Sequence, residues 1–87
     1  MVVDQSVPGE ANAMSYRQFT AIIEREEEGY VALCPELDIA SQGDSIEESR
    51  DNLIEAIELF LETASPSEIE ERLRSEVFIT QVGVSVA

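Results

Sequence analysis

The sequence predicts an α+β fold in which a three-stranded antiparallel meander is followed by a helix, a short second helix and a fourth strand. Three observations predict it. Apolar and polar residues alternate in the first half of the chain and again near its end, which is the two-residue period of a strand. Between these stretches, a serine opens a segment whose apolar residues recur at helical spacing. Glycine and proline separate the stretches at the intervals of short turns.

The first two strands lie on either side of an acidic turn. Residues 17–24 alternate with strand periodicity, and the run Glu26-Glu27-Glu28 that follows predicts a hairpin turn. We expect Gly29 to take a positive φ there, because it has no Cβ. The second strand covers Tyr30–Cys34 and ends at Pro35, which has no N–H to donate to a sheet.

The third strand leads into the long helix. It covers Leu37–Gln42 and is followed by a turn at Gly43-Asp44. Ser45 and Glu48 form a capping box, in which Ser45 accepts from the Glu48 amide and the Glu48 carboxylate reaches back. The helix has an apolar stripe of Ile46, Leu53, Ile57, Phe60, Leu61 and Ala64, and an opposite acidic face of Glu47, Asp51, Glu55, Glu58 and Glu62.

A short second helix and a last strand complete the predicted fold. Ser65-Pro66 ends the long helix and opens the second, with Glu68 in another capping box, and that helix stops near Arg74. Residues 76–86 alternate again and predict a fourth strand. The two helices carry the chain back across the sheet, so we expect this strand to lie parallel to the first at its free edge, with both helices on one face.

The other face of this sheet would stay uncovered although it carries apolar residues from several strands. We therefore expect a homodimer, or a higher homo-oligomer, that buries this face or an exposed edge strand. The chain has 87 residues, enough for a single small domain that buries only about 60–65% of its unfolded surface. We assign residues 16–87 to this domain and residues 1–15, which lack periodicity, to a disordered N-terminal arm.

Composition limits the functions open to the chain. Its formal charge is −14, with five scattered arginines and no lysine, whereas nucleic-acid binders neutralise phosphates with a basic face. Direct binding of nucleic acid by this chain alone is not expected. The charge suits a basic protein partner, and it equally suits solubility or a host with an acidic proteome. The single cysteine, Cys34, fits a reducing compartment, and no apolar run reaches the roughly 20 residues of a membrane span, so we expect a cytoplasmic protein.

An ordered set of short motifs carries a family resemblance. The set is Gly29-Tyr30, Cys34-Pro35-Glu36-Leu37, Gly43-Asp44-Ser45, Glu47-Glu48 and Asn52-Leu53, and it spans about half of the chain. In this order the motifs resemble the short, HicB-like antitoxin domains. The resemblance implies a partial RNase H-like fold and an antitoxin that inhibits HicA, a small basic ribonuclease that cleaves mRNA, by occluding its active surface. Many members add a DNA-binding segment, which we do not expect here because the sequence stops at Ala87, just after the last predicted strand.

Two other functions stay open at this level. The first is a remnant of a metal-dependent nuclease, since RNase H-like sheets hold metals between converging carboxylates. The first strand has an acid only at its far end, Glu24, and the fourth has none after Glu76, so two of three expected positions are empty. The second is a solitary regulatory or structural domain without a toxin. Histidine and glycine-rich phosphate loops are absent from the sequence, and we expect no catalytic residue, cofactor or metal.

The candidate partner-binding residues are Glu26, Glu27, Glu28 and Tyr30. The three glutamates suit contacts with basic toxin residues, and they also suit a solvated turn. Tyr30 is either an interface anchor or a strand residue packed on a neighbour. Cys34 is interpreted as a buried structural thiol. Structural roles are assigned to Gly29, Pro35, Gly43, Asp44, Ser45 and Glu48.

Overall fold

The computed structural model describes residues 16–87, and the arm expected at residues 1–15 lies outside the described residues. It confirms the α+β class and the antiparallel meander followed by two helices. The elements are β1 (Ile22–Glu26), β2 (Gly29–Cys34), β3 (Ile39–Gly43), α1 (Ile46–Thr63) and α2 (Pro66–Leu73). The first strand begins later than residue 17, and the third begins at Ile39 because residues 35–38 form a turn in which Asp38 takes the left-handed conformation, φ 57°.

The three strands form a sheet in the order β1-β2-β3, in which both neighbouring pairs are antiparallel. Ile23 lies opposite Ala32, and Ala32 lies opposite Ser41. Since alternate residues of a strand point to opposite faces, this row faces α1 and the next row faces away from it. The outward row consists of Ile22, Leu33 and Ala40.

The core lies between the sheet and α1. Ala32, Cys34, Leu37 and Leu53 are buried, and six half-buried apolar residues pack against them: Phe19, Ile23, Ile39, Ile57, Phe60 and Leu73. The helix contacts β3 and β2 far more than β1. As a result, β1 is the least covered strand of the sheet.

The buried stripe of α1 differs from the predicted one. Its innermost residues are Ser49 and Leu53, whereas the stripe residues Ile46 and Leu61 are largely exposed. The backbones of Gly43 and Ser49 lie close together here, since a Cβ on Gly43 would be only 2.5 Å from the Ser49 amide nitrogen. The hydroxyl of Ser49 donates to the Ile46 carbonyl at 2.9 Å, so this buried polar group is satisfied.

Helix α2 is attached to the rest of the domain through Leu73, which packs against the core, and through Arg72. Its guanidinium donates to the carbonyl of Leu37 and lies 4.8 Å from the centroid of the Phe60 ring. A salt bridge to Glu68 at 3.5 Å holds the same side chain from within the helix. These contacts fix the end of α2 beside the turn between β2 and β3.

The predicted fourth strand is absent, which corrects the sequence-based prediction. Residues 75–87 form no helix or strand, and all of them are exposed. Alternation is a local preference, and a strand also needs a partner edge to pair with it. Among residues 16–87 the only paired strands are β1 with β2 and β2 with β3, and residues 75–87 pair with neither edge of this sheet.

Candidate partner-binding surface

The acidic hairpin turn is an exposed tip. Glu26, Glu27 and Glu28 are all exposed, and Glu27 takes the left-handed conformation with φ 52°. The expectation of a positive φ at Gly29 is wrong, because no described glycine has one. Gly29 is needed for space instead: a Cβ there would lie 2.8 Å from the carbonyl oxygen of Gly43.

The corner between β3 and α1 lies beside this turn. Gly43 is paired with Tyr30, and a Cβ on Gly43 would lie 2.5 Å from the amide nitrogen of Ser49. Ser45 accepts from the Glu48 amide at 3.0 Å, as predicted. The Glu48 carboxylate accepts from the amide of Asp44 at 2.6 Å, one residue before the cap. The structural roles assigned to Gly43, Ser45 and Glu48 thus have direct contacts, and Asp44 contributes its backbone.

We call this part of the molecule the acidic end: Glu26, Glu27, Glu28, Asp44 and Glu47. The strand register places Gly43 opposite Tyr30 and so brings the corner that holds Asp44 beside the hairpin, although Asp44 lies 16 positions after Glu28; Glu47 follows in the first turn of α1. All five side chains are exposed, and none takes part in an ion pair within residues 16–87. The uncompensated negative charge makes this end complementary to a cationic surface.

Tyr30 packs on a neighbour across the hairpin. The Arg25 guanidinium lies 5.5 Å from the centroid of the Tyr30 ring and donates to the phenolic oxygen at 3.1 Å. Arg25 is the direct cross-strand partner of Tyr30. The half-buried ring therefore has an intramolecular partner, and a role as an interface anchor stays a prediction.

A second acidic surface, which the sequence did not reveal as a groove, lies along α1. We call it the α1 groove; it is open, has a volume of about 540 Å³, and is lined by Ser41, Asn52, Glu55, Ala56, Glu58, Leu59 and Glu62. Asn52 joins the helix to the sheet by donating to the Gln42 carbonyl at 2.8 Å. Leu59 is 59% exposed among the glutamates. The lining combines the apolar side chains of Ala56 and Leu59 with three carboxylates, a composition that suits an amphipathic cationic segment.

The turn after β2 is a structural latch rather than a reactive site. Both carboxylate oxygens of Glu36 accept from the Thr20 amide, at 3.0 and 3.2 Å, and the Thr20 hydroxyl donates to Oε2 at 2.6 Å. Burial acts to raise the pKa of Glu36, but these hydrogen bonds outweigh it and lower the pKa. Glu36 thereby ties the residues before β1 to the end of β2.

Cys34 is fully buried beside this latch, which confirms the interpretation as a buried thiol. Burial raises its pKa, and the neighbouring Glu36 carboxylate raises it further. Its Sγ donates to Glu36 Oε1 at 3.4 Å, and the adjacent Pro35 is half-buried. A thiol held protonated and without access to solvent is a poor nucleophile.

No group of three or more acidic, cysteine or histidine side chains among residues 16–87 is arranged to hold a metal ion. Neither α1 nor α2 combines the length and the apolar character that crossing a membrane requires.

Comparison with known proteins gives a partial likeness. Over 47 residues the chain is 47% identical to UPF0150 protein ssr1765 of Synechocystis sp.. The alignment covers 52% of this chain and 60% of that protein, less than two thirds of its length. No family profile matches the chain, and no solved structure matches it. The established similarity is therefore to a UPF0150 protein, over about half of this chain.

Proposed function

We propose that this chain is an antitoxin-like protein-binding module that neutralises a small basic ribonuclease toxin by occluding its active surface. The observation that carries the proposal is the acidic end. Five exposed carboxylates, from the β1-β2 hairpin and from the corner between β3 and α1, form no ion pair inside the described domain, and the pairing of Tyr30 with Gly43 brings these two parts of the chain side by side. The ordered motifs that resemble HicB domains supply the class of partner, because the HicA toxins of that family are small and basic.

Electrostatics gives the proposal its mechanism. A chain of net charge −14 attracts a cationic partner over a distance of about 8–10 Å at moderate salt, and it repels RNA. A basic ribonuclease uses its positive surface to hold RNA phosphates. Carboxylates docked on that surface replace the phosphates, so binding and inhibition are the same event. The α1 groove offers a further contact for an apolar side chain of the toxin beside its basic residues.

The first experiment is co-purification of this chain with the product of the adjacent reading frame, combined with growth rescue. The expected result is a stoichiometric complex with a small basic protein that arrests growth when expressed alone. Absence of both a complex and toxicity would overturn the antitoxin proposal.

Charge reversal then locates the surface. The variant Glu26→Lys/Glu27→Lys/Glu28→Lys should lower the association rate constant by at least about tenfold at low salt, because the steering field is weakened at the docking point. A matched control, Asp51→Lys/Glu70→Lys/Glu71→Lys, changes the net charge equally at exposed positions outside the acidic end, the α1 groove and residues 76–86. Stopped-flow measurements that give equal rates for the two variants would exclude the acidic turn from docking.

A further inference from the structure

The segment formed by residues 76–86 exposes its apolar side chains to solvent. Phe78, Val82, Val84 and Val86 are each 78–87% exposed, and they share one parity of the segment. Residues 77–87 contain no charged side chain and no proline, although the chain as a whole carries −14. A neutral segment rich in β-branched residues forms strands readily and aggregates when left uncovered. Such a segment requires a partner.

The free edge of β1 offers the complementary surface. In the described sheet, β1 and β3 are the two edge strands. At the β3 edge, α1 packs closely and Asn52 already binds the Gln42 carbonyl. β1 contacts α1 only marginally, and its outer edge pairs with no strand within residues 16–87. An unpaired strand edge is a ready template for a further strand.

The end of α2, from which residues 76–86 start, and the beginning of β1 lie at the same side of the domain. Arg72 places the end of α2 at the carbonyl of Leu37, in the turn after β2. The Glu36 latch places Thr20, just before β1, at that same turn. A segment that starts there and follows the sheet runs parallel to β1. Its 11 residues, 76–86, exceed the five residues of β1, so the whole edge is within its reach.

The short connection to α2 favours a second copy over the segment's own sheet. Only Arg74 and Ser75 separate α2 from the segment. Residues 75–87 are all exposed and form no strand on their own sheet, so the segment and the β1 edge of one chain are both left uncovered. Short hinges of this kind favour exchange of an element between copies.

We propose that residues 76–86 of one copy add as a fourth strand, parallel to β1, to the sheet of a second copy, which returns its own segment in the same way. The exchange is two-fold symmetric, so two segments cover two edges and none is left over. It also joins two strongly acidic chains through their one long uncharged segment. The proposal does not depend on the antitoxin function.

A matched pair of variants of the full chain tests the proposal. Val82→Lys/Val84→Lys places two charges on the apolar parity, and Gln81→Lys/Ser85→Lys places the same charges on the polar parity. By light scattering at about 100 µM, the wild type and the control should have twice the 9.6 kDa of one chain. The first variant should be monomeric, with a dissociation constant raised at least about 100-fold by burial of the two charges.

A mixed sample identifies the partner strand. In a dimer made from ¹³C-labelled and unlabelled copies, isotope-filtered NOEs should join the methyl groups of Val82, Val84 or Val86 to Ile22 or Ile23 of the other copy. A monomeric wild type overturns the proposal, whether the segment closes on its own sheet or awaits a different protein. Dimerisation unaffected by Val82→Lys/Val84→Lys, or NOEs to other elements only, overturns it as well.

Discussion

Replacing Gly43 with alanine should destabilise the domain by about 1–3 kcal/mol, the usual cost of forcing a group into a packed interior. The new Cβ would lie 2.5 Å from the Ser49 amide nitrogen and 2.8 Å from the Glu48 carbonyl carbon. Both are backbone atoms of the first turn of α1, so the helix itself must move. That movement also loosens the Ser45 cap, which contributes about 1 kcal/mol in comparable helices.

The sign of this effect is the informative part. Gly43 has no positive φ, so alanine fits its backbone conformation. By itself this replacement would stabilise the protein by about 0.4–1 kcal/mol, because alanine reduces the conformational entropy of the unfolded chain. Only the close approach of α1 reverses this gain. Gly83 provides the control, because a Cβ there meets no heavy atom within 4 Å.

Urea unfolding followed by far-UV circular dichroism measures both variants at a concentration low enough to keep the chain monomeric, since Gly83 lies in the segment proposed to exchange and association changes apparent stability. Gly43→Ala should lower the thermal midpoint by about 4–8 °C for each kcal/mol lost. Gly83→Ala should stay within about 0.5 kcal/mol of the wild type. Equal stability of Gly43→Ala and the wild type, with an unchanged urea dependence, would refute the steric argument.

Three further predictions concern the latch, the thiol and the second helix. The folded-state pKa of Glu36 is lowered, so its contribution to the free energy of unfolding is present above the ordinary carboxyl pKa of about 4.3 and is lost as the pH falls through the lower folded value. Glu36→Gln should therefore reduce the urea midpoint at pH 7 and reduce it much less in acid. An equal loss of stability at both pH values would contradict this. The buried Cys34 thiol should resist Ellman's reagent in the folded chain and react fully in guanidinium, and rapid reaction without denaturant would rule out the burial described. Arg72→Ala should lower the free energy of unfolding by about 1–3 kcal/mol, because it removes the hydrogen bond to Leu37 and the contact with Phe60. Arg74→Ala removes only an exposed ion pair with Glu70, 4.0 Å long, and should lower it by less than about 0.5 kcal/mol. Thermal unfolding of the two variants measures the difference.

Local signals accounted for most of the fold. The Ser45 cap, the breaks at Pro35 and Pro66, and the alternation of β2 each act within a few residues, and the structure contains all of them. The fourth strand failed as a prediction because alternation describes a segment's preference and says nothing about its partner. Gly29 failed for a related reason: its role is a contact with Gly43, 14 residues away, which no local pattern displays.

The candidate surface was only half visible in the sequence. The Glu26-Glu27-Glu28 turn is conspicuous, but Asp44 and Glu47 join it through strand register, which is a tertiary property. The α1 groove depends on the position of β3 beside the helix. One signal for it was available: Leu59 interrupts the acidic face of α1 and lies outside the apolar stripe.

The sheet and α1 join elements that are neighbours in the chain, and this has a consequence for the order of folding and assembly. β1, β2, β3 and α1 each contact elements close to them in sequence. Domains with such local contacts fold within about milliseconds. Two copies meet only by diffusion, and subunit assembly is therefore slower and depends on concentration. Exchange of residues 76–86 should accordingly be a separate step that follows the folding of each domain and becomes faster as the chain concentration rises.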